Sequence, residues 1–164
     1  MSQNPAEQER RAAESTLHAC LQDVAALLKE SDSCFSRPDV TVMTEDLGDT
    51  DTLITNALDR IGLCVTVMLR KAGNVPKNVS TPVFRDLSLV VEICEQAITN
   101  RSEAGTKITA LEAAEKAATI LHHAKLTSGR GLFVTDLEKY PQPPPPADNC
   151  YHLILSTSAN AFMA

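Results

Sequence analysis

The chain has no tryptophan, and two tyrosines and four phenylalanines bring its aromatics to only 4% of 164 residues. A core cannot be built on large rings, so Leu, Val, Ile and Ala must fill it. No apolar run approaches the ~20 residues that a membrane-spanning helix needs, and residues 1–16 are too polar and charged for a secretory leader. Basic charge is in deficit: 15 Lys and Arg stand against 21 Asp and Glu, a net charge of -6. A dedicated DNA or RNA binder carries a basic face, so this balance argues against one. The five cysteines contain no C-x-x-C pair, and their number is odd. Cys20, Cys64 and Cys94 fall inside apolar periodic segments. The expectation is small buried hydrophobes in a reducing compartment, not a disulfide frame or a zinc knot.

What is present is a 43% apolar chain, enough for one domain with one core. Leu17, Cys20, Leu21, Val24, Leu27 and Leu28 recur at helical spacing and predict a first helix over about 6–30. Residues 39–44 alternate as a short strand. In the polar turn "EDLGDTD", Asp49 or Thr50 can cap a second helix. Its expected buried face is Leu53, Ile54, Ala57, Leu58 and Ile61, and Gly62 suits its left-handed end. The period then becomes two: Leu63, Val65, Val67 and Leu69 point one way, Cys64, Thr66, Met68 and Arg70 the other. After a polar connection at 71–82, the strand 83–96 turns Leu87, Leu89, Val91 and Ile93 inward. A third helix over about 107–124 carries Leu111, Ala114, Ala118 and Leu121, with alanines beside them that allow close approach to a sheet. Two more strands, 132–140 and 150–157, flank "PQPPPPADN". Four consecutive prolines cannot join a sheet ladder, so this segment reads as an extended surface loop.

The order α-β-α-β-β-α-β-β implies an α+β fold in a single domain, residues 1–164. We expect a mostly antiparallel sheet of four to five strands with about three helices packed on it, on one face. Residues 1–16 would be a partly flexible extension of the first helix and 139–149 a proline-rich hairpin loop.

The stretch "VVEICEQAITNRSEAGTK" has the strand, glycine, helix layout of a phosphate loop, but it fails the test of residues. A Walker-type loop is G-x-x-x-x-G-K-[ST]; here Asn100 stands at the first glycine and the order ends Gly105-Thr106-Lys107. The structural reading is that Gly105 permits a tight turn and Thr106 or Thr109 caps the helix. His122 and His123 are adjacent, so they diverge by ~100° around a helix and do not chelate as an i, i+4 pair could. His18 and His152 have no Cys or carboxylate pattern near them in sequence. Glu92 and Glu95 fall on opposite sides of a strand. Glu45, Asp46, Asp49 and Asp51 match no calcium loop and read as a solvated turn. The expectation is therefore no catalytic, cofactor-binding or metal residues, and no enzyme.

Four stretches in order carry a resemblance: "VTVMTEDLGDTDTLITNALDRIGLCVTV", "NVSTPVFRDLSLVVEICEQAITNR", "GTKITALEAAEKAATILHH" and the final hairpin. Their most telling pieces are E-D-x-G-D before the second helix, G-L-C-V-x-V, V-E-x-x-E followed by N-R, and the alanine-rich helix ending L-H-H. Over residues 17–157 the chain resembles the tail-completion, or tail-terminator, proteins of long-tailed bacteriophages. That resemblance implies a structural virion protein at the tail-neck junction, assembled in the host bacterial cytoplasm. It would form a ring, a hexamer, that caps the tail tube, ends its polymerisation and offers a docking surface to the head connector. Its partners would be itself, the tail tube protein and a neck protein, with DNA passing through the lumen unbound and no membrane. An acidic balance suits such a lumen. Alternatives are a head-closure or neck component, or a non-enzymatic cellular α+β adaptor. Exposure alone nominates Asn100, Arg101, Lys71, Lys77, Asn78 and Tyr140 as interface residues.

Overall fold

Strand alternation gives this chain two unlike sheet faces, and the fold follows from how each is covered. The structure is a computed structural model that describes residues 16–30, 34–36, 41–46, 48–78, 80, 83–139 and 150–160. Strands β1 (Thr41–Thr44), β2 (Leu63–Gly73), β3 (Asp86–Gln96), β4 (Gly131–Lys139) and β5 (Cys150–Asn160) form one sheet in the order β1-β2-β3-β5-β4. β2/β3, β3/β5 and β4/β5 are antiparallel; only β1/β2 is parallel. The fold is α+β. The expected start of the first helix before residue 16, Tyr140 and the proline loop lie outside the described residues.

The first face carries Leu63, Val65 and Val67 of β2, Leu87, Leu89, Val91 and Ile93 of β3, and Leu153 and Leu155 of β5, all buried in one cluster. Two helices seal it. Helix α1 (Thr16–Glu30) contributes Cys20, Leu21, Val24, Ala25 and Leu28. Helix α4 (Ala110–Leu121) contributes Ala110, Ala113, Ala114, Ala117 and Leu121. Alanines at i, i+3, i+4 and i+7 let α4 lie close on the strands. Each Leu, Val or Ile fully buried here is worth about 1.5–3 kcal/mol over an exposed one.

The helices do not share one face. Helix α2 (Thr50–Ile61) packs Ala57 and Leu58 against Met43, Cys64 and Cys94 on the opposite side of the sheet. Parallel neighbours need a crossover, and α2 is the crossover between β1 and β2. Helix α1 already lies against β1 and β2 on the first face, so the crossover takes the second. Two residues of the expected helical faces are solvent-exposed instead: Leu53 on α2 and Leu111 on α4. Both lie outside the stripe that contacts the sheet, about 100° per residue around the helix. Asp49 is the α2 cap, accepting from the Thr52 N–H, and Gly62 adopts φ 78° after it. Thr109 caps α4 in a capping box: it accepts from the Glu112 N–H at 3.2 Å, while the Glu112 carboxylate accepts from the Thr109 N–H at 2.8 Å.

Between β3 and α4 the chain makes one short helix, α3 (Ala97–Asn100), and then a tight loop organised around Asn100. Asn100 was nominated above for its exposure; it is completely buried. Its Nδ2 donates to Glu95 Oε1 at 2.9 Å and to the Ile108 carbonyl at 2.7 Å. Its Oδ1 accepts from the Thr106 N–H at 3.2 Å and from the Thr106 hydroxyl. The second Glu95 oxygen accepts from the Ala110 N–H at 2.8 Å, the first N–H of α4. A buried carboxylate at a helix N-terminus is thus satisfied at both oxygens, and the positive end of the helix dipole faces it. Two glycines make room. A Cβ on Gly62 would stand 2.2 Å from the Asn100 nitrogen, and one on Gly105 would stand 2.1 Å from the Asn100 oxygen.

Asn100→Ala should lower the unfolding free energy by about 3 kcal/mol, because it strands the Glu95 carboxylate and Thr106 at once. Gly105→Ala should cost at least as much, by displacing the Asn100 backbone. Urea unfolding checks both: the midpoint should fall with little change in slope.

Candidate functional site

The acidic turn between β1 and α2 is consumed by structure. Glu45 accepts from the Leu69 N–H at 2.7 Å, tying the turn to β2. Asp49 is the helix cap. Asp46 pairs with His18 of α1. Burial pushes the Asp46 carboxyl up, but hydrogen bonds from His18 and Thr44 outweigh it and hold it below its ordinary value. The adjacent histidines are likewise structural. His122 Nδ1 accepts from the Val134 N–H of β4 at 3.1 Å, and both rings pack edge-on against Phe133.

The second face of the sheet is covered by α2 only at one end. Past that helix lies an open groove of about 390 Å³ across β2, β3, β5 and β4, with Met68, Val90 and Ile154 on its floor and Glu45, Arg70 and Glu138 at its rim. Apolar floor and mixed charge are the composition of an interface core and its rim.

Beside the groove, between β3 and β5, stand Glu92, Cys94 and His152. Cys94 lies directly opposite His152 in the β3/β5 register, and Glu92 is two residues before Cys94, on the same face. Their ligand-type atoms all lie within 4.8 Å of one another, and His152 Nδ1 is 3.4 Å from Glu92 Oε1. Strand pairing thus brings His152 together with Glu92 and Cys94, a grouping that its own stretch of sequence does not show. The sequence signal was E-x-C on one strand face, which carries no meaning until the opposing strand is known. Glu95, by contrast, points into the first face, so the separation of the two glutamates holds.

Of the nominated interface residues, Arg101, Lys71, Lys77 and Asn78 are solvent-exposed. Lys71 borders a shallow depression of about 240 Å³ with Asn74, Asp86 and Ser158. Asn100 is removed from the set by its burial. The sequence matches no protein-family model and no curated protein.

Cys64, opposite Cys94 across β2/β3, is fully buried. Burial pushes its thiol up to about 11 from an ordinary 9.0, with Glu92 adding to the rise and a hydrogen bond with Thr66 opposing it. The folded state then holds a proton that the unfolded chain loses. This contribution is intact below pH 9 and is lost as pH rises from 9 to 11. Cys64→Ala should flatten the alkaline fall in stability over that window by on the order of 2 kcal/mol. Cys20, also raised by burial, should leave a residual slope. Urea midpoints measured at intervals through the window supply the comparison.

Proposed function

We propose that this chain is a tail-completion protein that closes the end of a phage tail tube as a ring and presents a docking surface to the head connector. The tail assignment rests on the ordered resemblance of the four stretches over residues 17–157. The observation that supports self-assembly is the groove on the second sheet face, where Met68, Val90 and Ile154 lie beside charges of both signs.

The sheet is open, with β1 at one end and β4 at the other. A contact between the groove of one copy and a different surface of the next is heterologous, and such contacts generate rings when the rotation closes. Beyond the bulge between Val134 and Asp136, β4 exposes Leu137 at 41%, opposite Leu155 and so on the face away from the groove. That strand end is the surface we assign to the neighbouring groove. The exposed residues Lys71 at the end of β2 and Lys77, Asn78 and Arg101 in the loops remain for the tube or the neck. A net charge of -6 suits a ring whose lumen must let DNA slide through without sticking.

A ring should form in concentrated solution or on mixing with the tube protein, read by sedimentation velocity. Ile154→Lys should hold the protein as a folded monomer, since it places a charge on the half-buried groove floor. A chain that stays monomeric under both conditions would remove the reading. In the phage, deletion should give overlong or unjoined tails; leaky heads beside normal tails would instead assign the chain to head closure.

A further inference from the structure

We propose that Glu92, Cys94 and His152 form a binding site for a zinc-type divalent ion, with a fourth position open to solvent or to an added ligand. Thiolate, imidazole and carboxylate are the three side-chain donors that zinc takes, and the soft sulfur selects against magnesium and calcium. The backbone supplies the geometry. Strand alternation puts Glu92 and Cys94 on one face, and the antiparallel register sets His152 across from Cys94. Two ligand atoms each about 2.0–2.2 Å from a tetrahedral centre stand roughly 3.3–3.6 Å apart. The His152 Nδ1 to Glu92 Oε1 separation of 3.4 Å already meets that edge length. None of the remaining separations is beyond 4.8 Å.

The surroundings suit a bound ion. Cys94 is buried against α2 through Ala57 and Leu58, so the sulfur side of the site is dry. The His152 and Glu92 side chains are 24% and 20% exposed, which leaves an entry path from the open face. Zinc takes the thiolate and the neutral imidazole, so binding releases protons and affinity must rise with pH. The ion would clamp β3 to β5. The site makes no use of the ring reading and stands or fails without it.

The test uses the full chain, reduced, in a background with Cys34→Ser and Cys150→Ser, so that a sulfur signal belongs to the remaining thiols. Cobalt(II) titration should give one ion per chain and a thiolate-to-cobalt charge-transfer band in the near ultraviolet. Zinc should displace the cobalt and raise the thermal midpoint, and a chelator should reverse the rise. Cys94→Ser should abolish the band. His152→Ala and Glu92→Gln, both on partly exposed side chains and so less prone to misfold, should each weaken zinc at least tenfold against a chromophoric competitor. Cys64→Ala should keep the band. The proposal is overturned if no band appears at stoichiometric cobalt, if it survives Cys94→Ser, or if His152→Ala and Glu92→Gln leave zinc affinity unchanged.

Discussion

The carboxylate of Glu95 is the constraint on which the junction of sheet and helix depends. It is buried at the end of β3, where an unpaired charge would be costly. Its two oxygens are divided between the amide of Asn100 and the first N–H of α4. Asn100 in turn holds Thr106 and the Ile108 carbonyl, so one side chain fixes the loop, the helix start and the strand end together. The network leaves no buried side-chain polar atom unsatisfied among the described residues. It also dictates two glycines far apart in sequence, because both Gly62 and Gly105 lie against the Asn100 backbone with no room for a Cβ. The end of α2 and the start of α4 are therefore positioned by the same residue.

With that junction set, the two faces of the sheet take different fates. The first receives two helices and every long aliphatic residue of β3, and it is closed. The second receives α2 at one end, and the rest is built from residues that tolerate water at their edges: Thr66, Met68, Glu92, His152, Ile154 and Ser156. Thr66 and Ser156 are nonetheless buried by their neighbours. Such a surface can stand in solvent as a monomer and still offer apolar area to a partner. That duality is what a protein needs if it must remain soluble until a tube end or a second copy arrives.

The parts legible in the sequence were those set by local period and local chemistry. The inward sides of β2 and β3, the Asp49 and Thr109 caps, the turn at Gly62 and the two hairpins all follow from residues within a few positions of each other. The side taken by α2 was not legible, because it depends on α1 having occupied the first face. The burial of Asn100 was hidden for a related reason. In sequence it sits in a polar loop, N-R-S-E, whose appearance is that of a surface; only Glu95 arriving from the strand and two glycines arriving from either side make it interior. Leu53 and Leu111 were misplaced by the opposite error, an apolar residue counted as buried because its neighbours are. The Glu92, Cys94 and His152 set needed the β3/β5 register, which joins residues about sixty positions apart.

That register is also where the fold carries its greatest loop-closure cost. The β2/β3 hairpin and the β4/β5 hairpin are each locally connected, and β3/β5 is the seam that makes one sheet of them. Closing a longer loop costs more entropy, though only slowly with length. A cross-link at the seam therefore acts on the least local contact in the sheet. An ion held by Glu92 and Cys94 from one hairpin and His152 from the other would act there. The Asn100 network works at the opposite face of the same strand, on Glu95, one residue beyond Cys94. β3 would then be anchored from both sides at neighbouring positions: through its carboxylate to α4 and through its thiol to β5. The C-terminal end of β3 is already where the Asn100 network ties strand, loop and α4 together, a few residues along the strand from the groove.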